Sequence, residues 1–245
     1  MRIRLKTIFV LIAAVLVVGY VVVMSVLPKK TESESVKCHT VECVFKDSVR
    51  YRYISPGQVR KYLHQVGCYP VGTPLEKVQL QTIEDTLCAH PIIATADCYM
   101  SADGTMHIEL TQRCPIAHVV NDKESYFVAT DRQLMPVWST IKDSVLRVRG
   151  RLTHEQSCHE VADFAEWVQK DSVWRSRIAY LNLAAPHQYV LYMRGDTTQY
   201  VLGDLHNYEA QLHRLSVFES QLRKLPKQHF GKVDLRFDNQ VVTCP

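Results

Sequence analysis

The sequence predicts an α+β protein in three parts: one apolar N-terminal helix, a small β-α-α-β-β unit, and a larger mixed unit rich in strands. Three observations carry that expectation. Residues 8–27 run without a charged side chain. Two tetrapeptides with helix-start chemistry, Ser55-Pro56-Gly57-Gln58 and Thr73-Pro74-Leu75-Glu76, lie between strand-like segments. After Cys114-Pro115 the pattern turns to longer strand-like segments broken by turn pairs and two helical stretches.

The apolar run comes first. About 20 residues at 1.5 Å each cover the roughly 30 Å hydrocarbon core of a bilayer. A cleaved signal peptide would have a shorter apolar core and a pair of small residues at its end. Val23-Met24-Ser25-Val26-Leu27 has no such pair, so a retained transmembrane helix over 8–27 is expected. Arg2, Arg4 and Lys6 in the start, residues 1–7, favour a cytoplasmic N-terminus, a bias weakened by Lys29 and Lys30 on the far side. These three basic residues account for three of the four net positive charges, so the rest of the chain carries only +1. That offers no electrostatic case for nucleic acid. With 47% apolar and 22% charged residues over 245 positions, a disordered tail, a collagen and a polytopic membrane protein are excluded.

Residues 28–36 are polar and rich in Ser and Glu, and read as a linker. The small unit follows over 37–113. A strand over 37–45 precedes the first helix, in which Ser55 is the N-cap, Pro56 the first helical residue and Gln58 the third, a capping box. That helix is expected to run through Val59, Leu63 and Val66 and to stop at Gly67. Thr73 to Glu76 repeats the box, with a second helix running through Val78, Ile83 and Leu87 to His90-Pro91. Strands over 92–100 and 105–111 are joined by Asp103-Gly104, a hairpin signal. This order resembles a POTRA domain, a small helix-on-sheet module of exported bacterial proteins.

The larger unit spans 114–245. Strands are expected over 125–130, 145–149, 178–183, 188–193 and 198–202. A helix over 155–172 is signalled by Val161, Phe164, Ala165 and Val168 at helical spacing. A second helix carries Leu205, Tyr208, Leu212, Leu215, Phe218, Leu222 and Leu225 on one face and ends at Pro226. The chain closes on strands over 232–237 and 240–243 around Asp238-Asn239. All eight cysteines follow the apolar run, which suits disulfides in an exported domain, but eight allow 105 complete pairings. Cys68 with Cys88 is the favoured pair, each at the end of a helix in one unit; buried thiols are the competing reading.

These residues together resemble the bacterial cell division protein family FtsQ/DivIB over nearly the whole chain. The resemblance rests on Ile54-Ser55-Pro56, on Ile83-Glu84 through His90-Pro91-Ile92-Ile93-Ala94-Thr95-Ala96, and on the Arg113-Cys114-Pro115-Ile116-Ala117 junction. The closing stretch from Val233-Asp234-Leu235-Arg236-Phe237 through Val242 is the best single match. Departures are Asp131-Arg132-Gln133 in place of an acidic-x-Gly turn, Asp204 in place of a basic residue after Leu202-Gly203, and Phe237 where Tyr is common. The sequence also stops at Pro245, without the long C-terminal tail of some members.

The resemblance implies a non-enzymatic, bitopic scaffold of the divisome in the inner membrane at the septum, with most of the chain periplasmic and partners of the FtsB and FtsL type. It assigns partner binding to Arg236, Phe237 and Asn239, with Val241 and Val242 forming an edge strand that a partner strand completes. The competing reading packs Phe237 into the core. The POTRA unit would contact other division proteins, with Arg60, His64 and Gln65 as exposed candidates, though solvated helix residues are the plainer reading.

No cofactor, metal or catalytic site is expected. His154 and Cys158 sit at i, i+4, yet the second His of an H-E-x-x-H zinc pattern is replaced and no third ligand follows. No nucleophile elbow or phosphate-cradling Gly-rich loop occurs. Other POTRA-bearing envelope proteins are an alternative, but they usually continue into a transmembrane barrel for which this chain has no room. An anchored periplasmic enzyme built on His154 and Cys158 is the other.

Overall fold

A computed structural model describes residues 5–26, 36–47, 53–138, 141, 145–222 and 230–244, with side chains of the first helix described from 13 to 25. The start before residue 5, the linker over 27–35, and the helix end at Leu225 and Pro226 lie outside the described residues. Helix α1 (Leu5–Val26) covers most of the apolar run, and Val15 to Val18 and Tyr20 to Met24 are all exposed along it. Among the described residues no helix is long and apolar enough to cross a membrane.

The first unit contains β1 (Thr40–Phe45), α2 (Pro56–Val66), α3 (Leu80–Cys88), β2 (Ile93–Met100) and β3 (Thr105–Gln112). Its sheet has the order β1-β3-β2, with β1 parallel and β2 antiparallel to β3. The capping box of α2 forms as its chemistry demands. Ser55 Oγ accepts from Gln58 N at 3.3 Å, Gln58 Oε1 accepts from Ser55 N at 2.8 Å, and Gly67 closes the helix at φ +79°. Val59 and Leu63 of α2 and Ile83 and Leu87 of α3 are buried with Met106, Ile108 and Leu110 of β3. Gly104 turns β2 into β3 at φ +90°, and a Cβ there would lie 2.6 Å from Lys37 O, so the chain before β1 fits only against glycine.

The second capping box does not form. Cys38 N donates to Thr73 O at 2.9 Å, Gly72 N to Cys38 O at 2.8 Å, and Leu75 N to Val36 O at 2.9 Å. Within this pairing Lys37 and Pro74 form an antiparallel bridge, and only a 3₁₀ turn, Leu75–Lys77, follows. Helix α3 therefore starts at Leu80, with no side-chain cap at Gln79. The expected Cys68–Cys88 disulfide is also absent, since both thiols are unoxidised. The two thiols have different neighbours: Cys68 Sγ lies 3.8 Å from Thr86 Oγ1, whereas Cys88 lies beside Cys98, whose thiol burial pushes up to about 12.

The second unit is a nine-stranded mixed sheet with helices on one face. Its strands are β4 (Pro115–Val120), β5 (Ser125–Ala129), β6 (Leu134–Pro136), β7 (Leu146–Arg149), β8 (Ile178–Ala185), β9 (Gln188–Met193), β10 (Gln199–Gly203), β11 (Lys232–Asp234) and β12 (Val242–Cys244). The order is β12-β11-β10-β9-β8-β7-β4-β5-β6. Pairs β4–β7, β7–β8 and β10–β11 are parallel and the rest antiparallel. Neither β4 nor β6 was expected, and the closing strands are shorter than expected.

The helix expected over 155–172 is a continuous helical run over 154–170 with a π-helical turn inside it, followed by a separate short helix. Thr153 and Gln156 form a second true capping box at the start of α4 (His154–Gln156), a π-helical turn follows over Ser157–Val161, and α5 spans Ala162–Lys170. Asp171 then ends α5, because its Oδ1 accepts from Val173 N at 2.8 Å and Trp174 N at 3.1 Å and so caps α6 (Ser172–Arg177). Helix α7 begins at Tyr208, so Leu205 is a buried residue ahead of it and not part of its face. Phe164, Val168, Leu212 and Leu215 pack with Val119, Val148, Leu181, Leu191 and Val233 in one core.

Arg113 joins the two units. Its Nη1 donates to His90 O and Pro91 O at 3.0 Å each, and its Nε donates to Asp131 Oδ2 at 2.8 Å. Phe127, Ala129 and Met135 of β5 and β6 and nearby Ile141 pack into the first unit's core, and Trp138 meets His90 edge-on at 5.9 Å. The junction is thus a packed and hydrogen-bonded interface.

Candidate functional site

The terminal strand pair positions the residues expected to bind a partner. Helix α7 carries the chain back across the sheet, so β11 runs parallel to β10, with Leu235 N donating to Val201 O at 2.9 Å. Strand β12 folds back on β11 with Asp234 opposite Val242 and Lys232 opposite Cys244. It ends the sheet, and among the described residues no strand lies on its other side. An edge of this kind presents N–H and C=O groups that another strand can pair.

Residues 235–241 form the corner between these strands. Leu235 is fully buried and its carbonyl accepts from Arg214 Nη2 at 3.0 Å, which pins the start of the corner to α7. Arg236 turns back on Asp234: Nη2 donates to Oδ2 at 2.6 Å and Nε to Oδ1 at 2.9 Å. The Asp234 carboxyl is held below its usual range, chiefly by that hydrogen-bonded guanidinium. The stem of Arg236 lies across Gly203, where φ is +78° and a Cβ would sit 3.0 Å from Arg236 Cγ. Glycine there lets the side chain lie flat on the sheet.

Phe237 follows with 44% of its surface exposed, and the Arg236 guanidinium carbon stands 5.9 Å from its ring centroid. The competing placement of Phe237 in the core is therefore excluded. Asn239 is exposed and takes φ +61° at the turn, a backbone region its short amide side chain tolerates. Val242 lies in the edge strand with 38% of its surface exposed. Val241 does not: it precedes β12 and packs half-buried against the core, so the expected two-valine edge is one valine. Asp238-Asn239 is thus part of a wide corner, not a tight two-residue hairpin.

Asp234 and Gly203 stand in the sequence motifs without marking themselves as site residues. The i, i+2 spacing of Asp234 and Arg236 was the available signal, since such residues share a face of an extended chain. Arg60, His64 and Gln65 are exposed on α2, and the His64 ring stacks on Tyr69 with centroids 3.7 Å apart. Elsewhere, His154 Nε2 lies 3.1 Å from Glu124 Oε1, and the Cys158 thiol is raised by burial with Arg132 acting in the opposite direction. Among the described residues no group of three or more His, Cys, Asp or Glu is arranged to hold a metal ion.

Residues 114–244 match the family described as FtsQ/DivIB, C-terminal related, and residues 36–111 match the POTRA-like domain. A solved structure, the major extracytoplasmic domain of the trans isomer of the bacterial cell division protein DivIB from Geobacillus stearothermophilus, is similar at 11% identity. That similarity covers 47% of this chain and 98% of the other, with a TM-score of 0.30. No curated protein matches the chain.

Proposed function

The chain belongs to the FtsQ/DivIB family, and from that premise we propose that it is a non-enzymatic scaffold of bacterial cell division. It sits in the inner membrane at the septum, with α1 as a single span, a cytoplasmic start and both folded units in the periplasm. The uncharged apolar run over 8–27 supports the anchor, and the apolar side chains described on α1 are exposed. A continuous exposed apolar surface of that kind calls for a cover, which a bilayer supplies.

The scaffold works by β-augmentation at β12, recruiting partners of the FtsB and FtsL type. The observation that carries this reading is a terminal strand that no strand other than β11 pairs among the described residues, directly beside an exposed Arg236–Phe237 corner. Backbone pairing gives the partner strand its affinity, and the corner gives it specificity through a carboxylate for Arg236 and an apolar side chain for Phe237. Val242 and Asn239 line the same edge. The POTRA-like unit contacts further division proteins.

Depletion of the protein in its host tests the reading. Long undivided filaments are expected, whereas normal septation with defective outer-membrane proteins would favour a role in envelope assembly.

A further inference from the structure

The nine-stranded sheet has a second face, opposite α4 to α7, and the register says what stands on it. Residues paired across neighbouring strands point to the same side. One row reads Phe127, His118, Arg147, Tyr180 and Tyr192 from β5 to β9. The next reads Val120, Arg149, Asn182, Val190, Val201 and Asp234 from β4 to β11. At one end the first unit covers this face over Phe127, and at the other Arg236 covers Asp234. The strip between, on β4, β7, β8 and β9, carries exposed Arg147 and Arg149 and half-exposed Tyr180 and Tyr192.

This strip is built in an unusual way. Strands β4, β7 and β8 are mutually parallel, and parallel strands are ordinarily covered on both faces. The strip is also ordered: the two Tyr rings stack with centroids 4.5 Å apart, and the Arg149 guanidinium carbon lies 4.7 Å from the Tyr180 ring centroid. Among the described residues neither Arg147 nor Arg149 has an ion-pair partner. Among the described residues, the acids of these rows and of the turn between β4 and β5 have basic partners. Asp234, the one carboxylate in these rows, is held by Arg236, Asp122 lies 3.5 Å from Arg151, and Glu124 lies 3.1 Å from His154.

We propose that this Arg147–Arg149–Tyr180–Tyr192 strip is a docking surface for an acidic helix of a partner protein. Charge complementarity selects the partner: two unpaired guanidinium groups with no free carboxylate among them call for carboxylates. Geometry selects the helix. Two residues along a strand are about 6.6 Å apart, close to the roughly 6 Å between residues i and i+4 of a helix, so successive Glu side chains match the two arginines. Arginine and tyrosine are also the side chains that most often dominate binding energy at such surfaces. Five strand spacings of about 4.8 Å put β7 about 24 Å from β12, so this is a different site from the terminal edge. It stands whether or not a strand binds there.

The test is titration of the full chain, in zwitterionic detergent, with a synthetic helical peptide carrying Glu at i and i+4 over three turns, beside its Gln counterpart. The Glu peptide is expected to bind, the Gln peptide not, and the Arg147→Gln/Arg149→Gln variant to bind it about tenfold or more weakly. These side chains are exposed, so the variant should unfold thermally like the parent, which separates lost binding from a lost fold. Arg236→Glu should leave the affinity unchanged. Equal binding of both peptides, an unaffected double variant, or a loss confined to Arg236→Glu would overturn the proposal. So would failure of the peptide to bind while phosphatidylglycerol vesicles bind through the same arginines.

Discussion

Arg236 and Asp234 form a bidentate pair two residues apart, with Nη2 2.6 Å from Oδ2 and Nε 2.9 Å from Oδ1. The guanidinium is therefore held in place before any partner arrives, with its stem on Gly203 and its plane near Phe237. Holding a contact group in its bound geometry reduces the ordering cost of association. On the proposed reading, Asp234 positions Arg236 for its partner.

The first prediction concerns Asp234→Asn, which keeps the shape but removes the charge. It should weaken partner binding while retaining the fold. The Asp234 carboxyl is lowered from 3.8 when folded, so its stabilisation is present above that value and is lost as the pH falls through the folded value. Thermal unfolding of parent and variant should differ at neutral pH and converge in acid below about 4. A difference that persists unchanged into strong acid would contradict the pairing.

Gly203→Ala is the second. At φ +78° alanine is strained, and its Cβ would press on the Arg236 stem. A loss of stability of about 1–2 kcal/mol in urea unfolding is expected, together with weaker partner binding. Stability equal to the parent would mean the stem is not confined there.

Arg113 gives the third. It ties the carbonyls of His90 and Pro91 to the carboxylate of Asp131, and its side chain is only 13% exposed. Arg113→Ala removes three hydrogen bonds from a charged group and should cost about 2–3 kcal/mol. Calorimetry should show the first unit melting separately from the second. A single unshifted transition would count against the junction described.

The fourth is pH dependence at the same junction. His90 is buried against Tyr62 and Trp138, and burial, with Arg113 beside it, lowers its pKa from 6.5. The folded protein thus favours neutral His90, so stability is lost as the pH falls from 6.5 toward the lowered value and no further below it. His90→Phe should flatten that part of the stability profile. An identical slope in parent and variant would show that His90 does not titrate there.

How far the sequence shows this in advance depends on how local the chemistry is. The box at Ser55 and Gln58 is readable because both partners lie within one turn. The similar box at Thr73 is not, because residues 36–38 take its backbone, and no local pattern records a pairing across that distance. Asp171 was legible only as part of a helix, although its carboxylate ends one and starts another. At the candidate site the residue identities were readable, since Arg236, Phe237 and Val242 stand in a motif. The pairing with Asp234 and the contact with Gly203 needed the fold. The alternation of Leu146 and Val148 with Arg147 and Arg149 is visible as a period of two. Their alignment with Tyr180 and Tyr192 follows only from a strand register set by α4 to α6.

The central claim is strand pairing at β12, and amide hydrogen exchange of the full chain with and without an FtsB–FtsL-type complex from the same host tests it most directly. Slowed exchange across Val242, Thr243 and Cys244 on binding is expected, lost in Arg236→Glu. Tight binding that protects other segments and leaves the amides of β12 unchanged would contradict it.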